Sequence, residues 1–117
     1  MIARWLVVDT ALVAVFAAIG RLSHDEGLTL VGWAHTAWPF LAGAALGWVV
    51  VELRRRPPGA VTSGVAIWLG AVVGGMLLRR LSDQGTALPF VVVALVVLGG
   101  FLVGPRLVRA RAVTGSA

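Results

Sequence analysis

The sequence predicts an all-α fold, a four-helix transmembrane bundle, on three observations. Four apolar segments fill most of the 117 residues, roughly Trp5–Gly20, Val31–Val51, Ala60–Leu78 and Ala87–Gly104. The chain is 59% hydrophobic and 13% charged. Its arginines gather in alternate gaps between the segments. An α-helix needs about 20 apolar residues to cross a hydrocarbon layer of ~30 Å, and each segment approaches that length. A water-soluble chain this short could not hide so much apolar surface. The expectation is one integral membrane domain over residues 1–117, with helices over about 5–21, 31–52, 59–79 and 87–104 and a disordered tail over about 110–117.

The first segment is the weakest span. Its strongly apolar residues favour insertion by about 0.3–0.6 kcal/mol each, against about 2.5–3.5 kcal/mol for a central aspartate. Asp9 lies near the segment's end, so its penalty is smaller and the helix inserts with help from its neighbours. Asp9 also argues against reading this segment as a cleaved secretory signal. The first gap carries Arg21, His24, Asp25 and Glu26. Segment two holds Trp33, His35, Thr36, Trp38 and Pro39 in its first turns. Pro57-Pro58 stops segment two and starts segment three, because proline lacks an N–H and has a fixed φ. Pro89 opens segment four in the same way.

Orientation follows from arginine placement. Arg4, Arg54, Arg55, Arg56, Arg106, Arg109 and Arg111 flank one end of the predicted bundle, and Arg21, Arg79 and Arg80 the other. Both termini are therefore expected in the cytoplasm, in a multi-pass protein of the inner (plasma) membrane. The net charge of +5 flanks apolar spans, so it reads as topology and not as a nucleic-acid surface. Cysteine is absent, which excludes disulfides, thiolate nucleophiles and Cys-ligated metals. Two histidines without ligand spacing give no metal or cofactor site, and no P-loop, dinucleotide fingerprint or nucleophile elbow occurs. No catalytic residue is assigned.

Small residues one turn apart allow close helix approach in lipid. Gly43 and Gly47, Gly70 and Gly74, and Gly100 and Gly104 have that spacing and are the expected packing positions, within the chain or between chains.

Six polar residues are the functional candidates. Asp9 is an ionisable group within a span, a functional candidate by default; otherwise it pairs with Arg4, Arg54 or a tryptophan N–H. Arg21 and His24 are three apart and share a helical face if the helix continues. They could bind an anionic headgroup, and histidine is the side chain that changes charge near neutral pH. Ser23 and Glu26 could instead form a capping box. Pro39 cannot donate to the carbonyl of His35, which is freed beside His35 and Thr36. Arg79 is expected to pair with Asp25, Glu26 or Asp83 in a polar cluster at that mouth of the bundle. Such exposed pairs contribute little to stability. Trp48 and Trp68 lie deeper, and each needs an acceptor for its indole N–H.

The run Asp9…Phe16-Ala-Ala-Ile-Gly-Arg-Leu-Ser-His24, followed by Thr36-Ala-Trp-Pro-Phe40 and Gly47-Trp48, resembles a family of small bacterial and archaeal membrane proteins, domain of unknown function 3054. The resemblance runs from about Asp9 to Gly104 and implies four helices in a membrane. It implies no activity, cofactor or catalytic residue.

Two functions fit this reading. The leading one is a small transporter or channel, which at four helices requires a homo-oligomer. The other is a non-catalytic accessory subunit or assembly factor whose glycine faces pack against a larger membrane complex. A lipid-acting enzyme is a distant third. The expected partners are the lipid bilayer and further membrane chains, not nucleic acid.

Overall fold

The computed structural model describes residues 2–23, 29–85 and 88–115. Every regular element among them is helical: α1 (Ile2–Ser23), α2 (Leu30–Leu53), α3 (Val61–Leu81) and α4 (Leu88–Gly115). Each contains a stretch long and apolar enough to cross a membrane. Large apolar side chains cover the outside as well as the core; Leu30, Val31, Leu53, Leu81 and Val96 are among the most exposed. Helices apolar all round are suited to a lipid solvent, where the outward face carries no penalty.

Consecutive helices are antiparallel, as the contacts between them require. Along α2, from Phe40 through Gly43 to Gly47, the partners on α3 run backwards from Gly75 through Gly70 to Ile67. Arg21 of α1 meets Thr36 of α2, while Phe16 meets Phe40. Helix α4 closes the ring against α3 and α1. Val13, Phe40, Ile67, Ala94, Leu98 and Leu102 are completely buried along the axis.

The α2–α3 contact is the tightest in the bundle, and glycine makes it. A Cβ on Gly47 would lie 2.6 Å from the Cα of Ile67, and one on Gly70 would lie 2.7 Å from the carbonyl oxygen of Gly43. A Cβ on Gly43 would strike the Gly70 carbonyl oxygen in turn. At this crossing α3 widens into a π-helical turn over Gly70–Gly74, flanked by α-helical Val61–Leu69 and Gly75–Leu81. A π turn inserts one extra residue into the helix. Gly70, Gly74 and Gly75 keep it bare of side chains on the contact side. The third glycine pair behaves differently: nothing lies within 4 Å of a Cβ built on Gly100 or Gly104. A side chain at either position would meet no other part of the described chain.

The helix ends depart from the sequence expectation in one instructive place. Segment four was expected to end at Gly104, before Pro105, with a disordered tail from about 110. Instead α4 runs through Pro105 to Gly115. An internal proline removes one helical hydrogen bond and costs roughly 3 kcal/mol. Here the next residue, Arg106, is pinned by four hydrogen bonds to three parts of the chain, which holds the helix through the defect. Between α2 and α3 the chain turns at Arg55, in a left-handed conformation (φ 52°). Pro57 then lends its carbonyl to the Ser63 hydroxyl at 2.6 Å. Thr29, which the sequence reading did not single out, caps α2 by accepting a hydrogen bond from the Gly32 amide at 3.0 Å.

The glycine contacts predict a contrast. Gly43→Ala or Gly47→Ala should destabilise the bundle by about 1–3 kcal/mol through overpacking. Gly100→Ala should be neutral or stabilise by up to about 1 kcal/mol, because alanine is the better helix former. Thermal unfolding in detergent micelles separates the two classes.

Candidate functional site

The polar centre of the molecule lies towards the arginine-rich end, where α1 and α4 face each other. Asp9 and Arg106 each sit six residues inside the end of their candidate span. At 1.5 Å per residue that is about 9 Å along each helix, so the two charges stand at matching depth. Arg106 is completely buried and Asp9 is 2% exposed. The guanidinium grips the carboxylate at both oxygens: NH1 donates to Oδ1 at 2.8 Å and NH2 to Oδ2 at 2.9 Å. NH1 also donates to the Leu102 carbonyl at 2.8 Å, and Nε to the Pro58 carbonyl at 3.0 Å. One side chain therefore ties α1, α4 and the α2–α3 loop together. The Trp5 ring lies 4.4 Å from the guanidinium carbon and the Trp48 ring 6.0 Å, which gives the buried cation two aromatic faces.

Gly64 opens the path for this side chain. A Cβ there would come within 2.6 Å of Arg106 Cδ and 2.9 Å of the Leu102 oxygen. The expected partners of Asp9 were Arg4, Arg54 or a tryptophan N–H; its partner is Arg106. By sequence alone, Arg106 reads only as a topological charge beyond segment four. The Gly104-Pro105-Arg106 sequence hid it, because a helix expected to stop at Gly104 places Arg106 outside the span.

The opposite end holds most of the other candidates. Arg21 NH1 donates to Thr36 Oγ1 at 3.0 Å, joining α1 to α2, and Gly32 leaves room for the guanidinium. Trp33 Nε1 donates to the Ala14 carbonyl at 2.8 Å, so this tryptophan is also a helix–helix link. The His35 side chain is exposed, while its carbonyl accepts from Gln84 Nε2 at 3.3 Å. That carbonyl is the one Pro39 frees, so Gln84 replaces the missing backbone donor. Arg79 binds Gln84 Oε1 at 3.0 Å and the Gly85 carbonyl at 2.9 Å, and lies 4.5 Å over the Phe90 ring. Gln84 was absent from the candidates, although it organises this mouth. His24, Asp25 and Glu26 lie outside the described residues, and with them the capping box and part of the expected polar cluster. Asp83 is exposed at a turn with φ 61°. Asp9 is not joined to any of these groups; the bundle separates them.

Between the two ends, buried apolar side chains of the described residues line the axis. Phe16, Phe40 and Phe90 meet with ring centroids 5.1–6.2 Å apart below the Arg79 mouth. Trp68 Nε1 finds the Leu95 carbonyl at 2.9 Å, its indole lying against Gly99. Among the described residues, no buried side-chain nitrogen or oxygen lacks a hydrogen-bond partner.

These features define an all-α four-helix bundle of membrane-spanning dimensions with an internal Asp9–Arg106 ion pair. Over residues 6–109 the chain matches the family described as protein of unknown function DUF3054, and it belongs to that family. No curated protein and no solved structure matches it significantly. The family description assigns no chemistry.

Removing one partner of a buried ion pair strands the other charge, at a cost of about 3–5 kcal/mol. Asp9→Asn and Arg106→Met should therefore each lower the unfolding temperature sharply. The double variant Asp9→Asn, Arg106→Met should be less destabilised than the sum of the two singles. Unfolding in detergent measures all three; an Asp9→Asn protein as stable as the parent would show that the pair does not hold the bundle together.

Proposed function

We propose that this protein is a non-catalytic helical subunit that works as part of a larger membrane assembly. The observation that supports this reading is the filled bundle axis: the phenylalanine cluster occupies one end and the Asp9–Arg106 pair the other. Among the described residues, the buried candidates Asp9 and Thr36 both bond to side chains of other helices in the chain. Its free surface is apolar, with Gly100 and Gly104 bare on α4. The arginine-rich end, with both termini, faces the cytoplasm by the positive-inside rule, in the plasma membrane.

A second reading, a small homo-oligomeric transporter or channel, draws on the buried charge pair, since intramembrane charges often line transport paths. Such a path would run between copies, because the phenylalanine cluster and the ion pair occupy the axis of the described bundle.

Mild-detergent purification from native membranes followed by native mass spectrometry tests the choice. A stoichiometric larger membrane protein is expected to co-elute. A homo-oligomer alone that also supports flux in reconstituted vesicles would replace this reading with the transporter. Reporter fusions at Arg54–Arg56 are expected to report a cytoplasmic loop; an external signal would reverse the orientation.

A further inference from the structure

A second basic site lies beside the ion pair, on the outside of the bundle. A groove of about 430 Å³ runs between the start of α1 and the last turns of α4, lined by Arg4, Trp5, Val8, Pro105 and Arg109. Its two cations are not neutralised as Arg106 is. Among the described residues, neither Arg4 nor Arg109 has an ion-pair partner, and Asp9, the neighbouring carboxylate on α1, is held at both oxygens by Arg106.

Trp5 contributes a third donor. Its ring packs on Arg106, while its indole Nε1 and Arg109 NH1 both lie against Gly59. A Cβ on that glycine would meet them at 2.8 Å and 2.9 Å. No acceptor for the indole N–H occurs among the described residues. The first turn of α1, which carries Arg4, contains no acidic residue to balance the positive end of its helix dipole. Val8 and Pro105 supply the apolar wall. A topological arginine needs no indole donor beside it.

We propose that this groove binds a phosphate group, with the Arg4 and Arg109 guanidiniums and the Trp5 N–H as donors to its oxygens. Arg4 and Arg109 stand in the first and last turns of their candidate spans, at the depth where lipid headgroups lie. The phosphate is therefore either that of an anionic phospholipid, with its glycerol against Val8 and Pro105, or that of a soluble phosphate reaching the rim from water. The site does not depend on whether the protein has a larger partner.

Native mass spectrometry of the purified protein, titrated with phosphatidylglycerol and separately with phosphatidylcholine, tests the lipid source. Calorimetric titration with inorganic phosphate tests the soluble one. Arg109→Gln is the informative variant, since Arg109 is exposed and its loss leaves the core intact. Arg111→Gln, on the same helix but outside the groove, removes the same charge. Loss of a charge-assisted contact should weaken binding by about tenfold in Arg109→Gln, with little change in Arg111→Gln. Preferential phosphatidylglycerol retention with that pattern identifies a lipid site. Inorganic phosphate binding with that pattern identifies a soluble ligand. Equal losses in the two variants, or no preference for phosphatidylglycerol together with no phosphate binding, would overturn the proposal.

Discussion

Arg106 carries a full charge into the interior, and the surrounding structure is arranged to keep it there. Desolvating an ion is tolerable only when a counter-ion and enough acceptors surround it. Asp9 supplies the counter-charge from α1, Leu102 and Pro58 supply carbonyls, and Trp5 and Trp48 supply aromatic faces. These groups come from α1, α2, α4 and the loop before α3, while Gly64 of α3 leaves space for the stem. The pair therefore fixes how the first and last helices meet, and it holds α4 together through Pro105.

The other organising contact is the bare seam between α2 and α3. Gly43 and Gly47 against Gly70 and Gly74 bring backbones together at distances no side chain would permit. Close backbone packing of this kind supplies the attraction between helices where a lipid solvent offers no hydrophobic drive. The π turn lies at this seam. Two of the three glycine pairs are thus consumed inside the chain, and Gly100 and Gly104 on α4 remain bare.

At the far mouth, Pro39 removes a helical donor and Gln84 restores one from the α3–α4 connection. Arg79 holds Gln84 and covers Phe90, whose ring closes the axis with Phe16 and Phe40. The polar residues that the sequence marks out at this end act mainly as fasteners between helices. The basic groove of Arg4, Trp5 and Arg109 faces outwards instead.

The sequence by itself determined the elements. Four apolar runs at spanning length set the four helices, because hydrogen bonding and transfer energy along a span are local to it. It also determined which end is rich in arginine, that Pro39 frees the His35 carbonyl, and where close helix contact is possible. Only the tertiary structure decided the pairings. Asp9 and Arg106 are 97 residues apart, and no local pattern links them. Nothing in the spacing of Gly43, Gly70 or Gly100 distinguishes a contact within the chain from an open face; that depends on how the helices are rotated in the ring. The run through Pro105 had the same origin. Local rules end a helix there, and the bonds of Arg106 to distant parts of the chain carry it on.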